Sequence, residues 1–258
     1  MKNRWHLQME RVPLPFYMEE DPHRRSRFPE TNWALVERAA GTDENDRSVA
    51  LSDLCSLYWP PIYAYIRSQG AAPHDAEDLT QDFFSDFICN SPLARADPDK
   101  GRLRSYLLKS VKHFLISEHR KGVRQKRGGG VKPLSLDAGE GEARCHQIAA
   151  DDPDPDRVYD RLWAATLMEQ VMRRLRDRYE AKGNLKAFDR MCRYIRNEPV
   201  DNDLRNLAAD FSQSEATVRV ALHRLRQRFK AILREEVSAT LGIGENLEEE
   251  LRYLRSVV

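Results

Sequence analysis

The chain has 258 residues, with 42 Lys plus Arg against 41 Asp plus Glu, a net charge of +1 and a mean hydropathy of -0.69. It holds no apolar run long enough to cross a bilayer, and its opening residues (MKNRWHLQMERVPLPFYMEEDPHRR) contain no apolar h-region, so neither a membrane span nor a secretory leader is expected. Four separated cysteines (Cys55, Cys89, Cys145, Cys192) fit reduced thiols in the cytoplasm better than a disulfide frame or a zinc site.

Residues 1–30 carry four prolines and little periodicity, which reads as a flexible N-terminal arm. Thr31 and Asn32 are placed to cap a short helix with Trp33, Val36 and Ala40 on one side and Gly41 as its stop. Helical spacing then runs from Asp46 to Gln69, with Pro60 and Pro61 expected to kink or break it, because each lacks an N–H and crowds the preceding turn. A third helix is predicted over His74–Cys89, with Ala76, Leu79, Phe83 and Phe87 inward. A fourth follows over Leu103–Arg120, built on Leu103, Tyr106, Leu107, Ser110, Phe114 and Ser117. Gly128–Gly130 and the acidic, proline-bearing stretch up to Asp156 read as a linker. Periodicity resumes over Val158–Tyr179, Leu185–Arg196, Asp203–Phe211 and Glu215–Ser238, and a Glu-rich helix capped by Asn246 runs to Ser256. No segment alternates like a strand. The expectation is an all-α fold of two small helical domains, 31–125 and 157–238, joined by a flexible acidic linker (126–156) and followed by a helical tail (239–258).

The near-neutral total conceals segregation. Asn90–Gly130 holds eleven basic residues against Asp97, Asp99 and Glu118, and Arg219 to Arg234 holds six bases and no acid. Ala71–Asn90 holds five acids and no base, and Asp137–Asp160 eight acids against Arg144 and Arg157. Blocks of opposite sign suggest different partners for different segments.

The most informative stretch is Leu204–Phe229. Leu204, Leu207, Ala208 and Phe211 give a short helix one apolar face, a turn follows, and Ser214 is placed to cap a second helix. Val218, Leu222 and Leu225 face inward there, leaving Arg219, Val220, His223 and Arg224 outward. This is the helix-turn-helix plan, whose second helix enters the major groove. An arginine there can fork onto guanine, worth about 1–3 kcal/mol of discrimination per base. Ser212 stands where a turn glycine is usual.

Taken in order, Leu54-Cys-Ser-Leu-Tyr-Trp-Pro-Pro-Ile-Tyr-Ala-Tyr-Ile-Arg67, His74-Asp-Ala-Glu-Asp-Leu-Thr-Gln-Asp-Phe-Phe84, Lys100-Gly-Arg-Leu-Arg-Ser-Tyr-Leu-Leu-Lys109 and the helix-turn-helix resemble the extracytoplasmic-function (ECF) group of bacterial RNA polymerase sigma factors over about residues 33–235. The resemblance implies a region 2-like bundle and a region 4-like helix-turn-helix domain. It further implies that Asp75, Glu77, Asp78, Gln81 and Asp82 dock on the β′ clamp helices of core polymerase, the β flap being a further contact. Ser214, Thr217, Arg219, Val220, His223 and Arg224 would read the −35 element. Lys100, Arg102, Arg104, Tyr106, Lys109, Lys112 and His113 would serve −10 recognition and melting, the cations steering phosphates and Tyr106 either packing or stacking. Tyr106 replaces the family's usual tryptophan, His113 its asparagine and Ser117 its aspartate, so no base specificity is carried over through His113. The acidic linker is either a spacer or the segment that threads the polymerase's RNA path.

The implied function is promoter recognition and transcription initiation by a cytoplasmic sigma factor, with core RNA polymerase and promoter DNA as partners and an anti-sigma protein or other regulator as a further candidate. No metal, cofactor or enzymatic activity is expected; Gly128–Gly130 lacks the Lys-Ser/Thr of a nucleotide loop. A stand-alone helix-turn-helix regulator is the alternative, and a metal-dependent helical hydrolase built on Asp75, Glu77, Asp78 and Asp82 is a third reading. The tail's Leu247, Leu251 and Leu254 form an apolar stripe suited to packing on either domain, where it would regulate in place of an anti-sigma protein. Thr80, among the acids, is either a phosphate acceptor or an inward-facing helix residue.

Overall fold

The computed structural model describes residues 32–89, 93–125, 153–197, 199 and 201–257, which form nine α-helices and three short 3-10 turns with no strand among them. The expected all-α class is what the chain adopts. The expected arm (1–30) and most of the expected linker (126–152) lie outside the described residues. The described chain divides into two compact units, one from residue 30 to Thr166 joined by Ser238–Val257, the other Leu167–Val237.

In the first unit, α1 (Asn32–Ala39) buries Trp33, Val36 and Ala39. The helix ends one residue before the exposed Ala40, so Ala39 takes the inner position expected of its neighbour. Helix α2 (Glu44–Ser68) starts two residues earlier than the periodicity suggests. Its cap is Asp43, whose side chain accepts the Asp46 N–H at 2.9 Å. Pro60 and Pro61 lie inside α2, which continues past both. Each proline costs a helix interior about 3 kcal/mol. Leu54 and Tyr58 before them and Ile62 and Ile66 after them are fully buried, so packing on both sides holds the helix through the gap in its hydrogen bonds.

Helix α3 (Pro73–Cys89) opens on proline, which loses nothing at a first helical position. Ala76, Thr80, Phe83, Phe84 and Phe87 face the core. Phe84 stacks on Trp59 at 5.7 Å, and Phe83 meets Phe114 edge-on at 5.7 Å. Helix α4 (Leu103–Gln125) buries Leu103, Leu107 and Val111, a tighter seam than the expected set, with Ser117 exposed.

Helix α5 (Pro155–Glu180) begins before the expected domain boundary at 156/157, and its first three turns belong to the first unit. The reason is burial: Val158, Tyr159, Leu162 and Trp163 are core residues. The Tyr159 ring meets Tyr65 edge-on at 6.5 Å and its hydroxyl donates to the Arg104 carbonyl at 3.1 Å. The tail completes this unit. Its helix, called α9 here (Leu247–Val257), is capped as expected, the Glu248 N–H donating to Asn246 Oδ1 at 2.9 Å, and it buries Leu251, Leu254 and Val257.

The second unit carries the rest of α5, then α6 (Leu185–Met191), a 3-10 turn Cys192–Ile195, α7 (Asp201–Asp210) and α8 (Glu215–Ser238). The single helix expected over Leu185–Arg196 is thus one short helix and a tighter turn. Its core is Val171, Leu175, Tyr179, Phe188, Met191, Tyr194, Leu204, Leu207, Val218, Leu222, Leu225 and Ile232. Burying a Leu or Val of this kind contributes about 1.5–3 kcal/mol.

Candidate functional site

The helix-turn-helix is built by α7, the turn Phe211–Ser214 and α8. Helix α7 ends in a Schellman closure: the Ser212 N–H reaches the Ala209 carbonyl at 3.1 Å and the Gln213 N–H the Ala208 carbonyl at 2.9 Å. That closure needs a left-handed residue, and Ser212 supplies it at φ 51°. At the end of α5 the same pair of bonds closes on Gly183 at φ 68°, where no Cβ resists the conformation. The glycine missing from the turn is therefore a real conformational demand that serine meets under strain.

Ser214 caps α8, its Oγ accepting the Thr217 N–H at 3.2 Å and lying 2.9 Å from the Thr217 hydroxyl. Val218, Leu222 and Leu225 face the core as expected. Arg219, Val220, His223 and Arg224 are all exposed, Val220 by 50%. At spacings of one, four and five residues they share one helical face. The other basic residues of α8 divide by role. Arg226 donates to the Tyr194 carbonyl at 2.9 Å and the Asn197 carbonyl at 3.0 Å, so it ties down the 3-10 turn. Arg228 lies over the Tyr179 ring at 5.4 Å.

On α3 the five polar residues predicted to face a partner, Asp75, Glu77, Asp78, Gln81 and Asp82, are all exposed. His74 stands beside them, its Nδ1 3.1 Å from an Asp78 oxygen. A hydrogen bond to its own backbone and the Asp78 carboxylate hold that imidazole above its ordinary value. Thr80 is fully buried and its hydroxyl donates to the Ala76 carbonyl at 2.6 Å, so it is an inward-facing helix residue with no access for a phosphate donor. Among the described residues no group of three His, Cys, Asp or Glu is arranged to hold a metal ion. Cys55 and Cys192 are free thiols that burial pushes up, the opposite of an activated nucleophile.

The basic stretch before and along α4 is where sequence and structure part. Lys100, Lys109 and His113 are exposed, although Lys100 is offset by Asp97 at 2.9 Å. Tyr106 is half-buried with its ring 6.1 Å from Phe87, the packing alternative. Lys112 is paired with Asp156 at 2.6 Å, which holds the ammonium above its ordinary value. Arg102 is paired with Glu245 at 3.1 Å and Glu250 at 2.7 Å.

Arg104 is 5% exposed. It donates to Glu250 at 2.9 Å and to Asp160, with Trp163 and Tyr253 rings 5.1 and 4.8 Å from its guanidinium. Burial opposes its charge, but Asp160 and Glu250 outweigh burial and hold it above its ordinary value. The expectation that Arg104 steers a strand by its phosphates is corrected accordingly: this cation is spent inside the protein. Burial pushes the Asp160 carboxyl up against the pull of Arg104. Burial and the hydrogen bond to Asp160 push Tyr253 up to about 12. The signal for this cluster was in the sequence only as the surplus of acids at Asp156, Asp160, Glu245 and Glu250. Their partners lie 44 or more residues away, beyond any local pattern.

No helix among the described residues is long and apolar enough to cross a membrane. The chain matches no protein-family model, no curated protein and no solved structure.

Proposed function

We propose that the chain is a sigma factor of the ECF type, binding core RNA polymerase and directing promoter recognition and melting. The observation that carries the reading is the outward face of α8, where Arg219, Val220, His223 and Arg224 stand together behind a capped turn. Such a face suits base edges in a major groove, with Arg219 and Arg224 as forked donors and Val220 offering apolar contact to a thymine methyl. The acid face of α3 adds what a DNA-binding domain alone has no use for: a surface of one sign, fit for arginines on a protein partner. A stand-alone helix-turn-helix regulator would use α8 in the same way and leave the α3 face without a role.

In this reading Lys109 and the exposed Lys100, which also pairs with Asp97, face a melted strand with His113 beside them, while Arg102 and Lys112 hold acids of the chain itself. The two faces separate cleanly by substitution. Asp75→Ala, Glu77→Ala and Asp78→Ala together weaken binding to purified core polymerase about tenfold or more, as loss of several interfacial charges does. Arg219→Ala with Arg224→Ala leaves core binding intact and abolishes promoter selection. Core binding that ignores the acidic triple substitution refutes the assignment of α3.

A further inference from the structure

The tail lies outside the sigma resemblance, yet its first residues grip one particular loop, Ala96–Arg102, which carries the 3-10 turn Pro98–Lys100 and leads into α4. We infer that residues 238–257 are the positioning element of that loop, which holds its backbone in register for α4, and that the tail is a fixed part of the first unit.

The grip begins with a close approach of two backbones. A Cβ on Gly242 would stand 2.6 Å from the Pro98 carbonyl oxygen and 2.8 Å from the Gly101 carbonyl, so only glycine fits. The next residue, Ile243, donates its N–H to the Pro98 oxygen at 3.1 Å. Glu245 then works in two directions: one oxygen accepts the Gly242 N–H at 2.9 Å, fixing the tail's own turn, and the other takes Arg102 at 3.1 Å. One helical turn further on, the fully buried Glu250 receives both Arg102 and Arg104. Leu251, Leu254 and Val257 lie on the buried side of the same helix. Pro98, Gly101, Arg102 and Arg104 are thus held by consecutive pieces of the tail, while Lys100 remains exposed.

A switch that opened on demand would be built of exposed, weakly held contacts. This one is a glycine-only contact and a buried Arg104–Glu250 pair, and separation would break that pair and leave Arg104 with Asp160 alone. The functional half of the inference rests on the sigma-factor reading, in which the loop and α4 hold a melted strand; the structural half stands without it.

The test uses the full chain and two variants, Gly242→Ala and Glu250→Gln. Hydrogen exchange at the amides of residues 96–104 is expected to rise about tenfold or more in both, the size of shift a buried substitution ordinarily produces in a local opening. The amides of α8 keep their wild-type rates, which separates loss of positioning from general unfolding. With core polymerase, both variants lose capture of a single-stranded −10 oligonucleotide and keep their affinity for the polymerase. Unchanged exchange at 96–104 in Gly242→Ala overturns the inference, and so does stronger strand capture by Gly242→Ala or Glu250→Gln, since the tail would then be a mask. If the wild-type chain ignores polymerase and strand alike, the sigma reading fails, while the exchange result still decides what the tail does.

Discussion

Arg104→Met removes one charge from the interior while keeping an unbranched stem between the rings of Trp163 and Tyr253. What it leaves behind sets the magnitude. Asp160 and Glu250, 6% and 0% exposed, lose their shared cation. Removing one partner of a buried ion pair costs about 3–5 kcal/mol, because the survivor stays buried and uncompensated. Two compensations place this case at the lower end: Glu250 keeps Arg102 at 2.7 Å, and Asp160 keeps the Tyr253 hydroxyl. At about 2–4 °C per kcal/mol for a unit of this size, the expected fall in Tm is roughly 6–12 °C.

Scanning calorimetry of the full chain, compared at neutral pH and near pH 5, tests both size and cause. The Asp160 carboxyl already sits above its ordinary value through burial, and without Arg104 it rises further. A carboxyl whose folded value is raised binds its proton more tightly in the native state. Its contribution is therefore fully present below the unfolded value and is lost as pH rises through the folded one. The deficit of Arg104→Met accordingly narrows as pH falls. The triple variant Arg104→Met, Asp160→Asn, Glu250→Gln, which removes the three buried charges and leaves Arg102 its pairing with Glu245, recovers more than half of the loss. A fall of less than about 2 °C, or an equal deficit at both pH values, refutes the claim that these charges are sealed together.

Three further outcomes follow from single contacts. Ser212→Gly relieves the left-handed turn of the helix-turn-helix and raises stability by about 1 kcal/mol, measured by denaturant midpoint at unchanged slope; a loss would show that the turn is unstrained. Tyr253 ionises at about 12 in the fold against 10.0 for the free phenol, so its contribution is present below pH 10 and lost as pH rises through 12. Tyr253→Phe flattens the stability profile across that window, and an unaltered slope counts against the Tyr253–Asp160 bond. His74→Gln abolishes an imidazole titration above the ordinary value in proton NMR; a wild-type titration at or below 6.5 contradicts the pairing with Asp78.

What could be read from the sequence was what neighbours in the chain decide. The caps at Ser214 and Asn246 lie within three residues of the amides they bind, and the inward faces of α7 and α8 repeat at helical spacing. Ser212 shows the same logic from the other side: the turn pattern asked for glycine, and the backbone took the glycine conformation regardless. Of the two outcomes expected at the prolines of α2, a break does not occur, because propensity is local while the burial of Tyr58 and Ile62 that overrides it is not. Charge was the least legible quantity. The basic block around α4 looked like a surface awaiting phosphates, but Arg102, Arg104 and Lys112 meet acids from Asp156, Asp160, Glu245 and Glu250. Segment totals cannot register a pairing that spans 146 residues. The overall balance of 42 cations against 41 acids is thus partly a ledger of internal pairs and partly two exposed faces, acidic on α3 and basic on α8.

The measurement that bears most directly on the proposed function is transcription by purified bacterial core polymerase, with and without this chain, on fragments of the source genome. The account predicts initiation at discrete sites only when the chain is present, lost with Arg219→Ala and Arg224→Ala although the polymerase complex still forms. An absence of core binding, or discrete initiation that survives those substitutions, would contradict it.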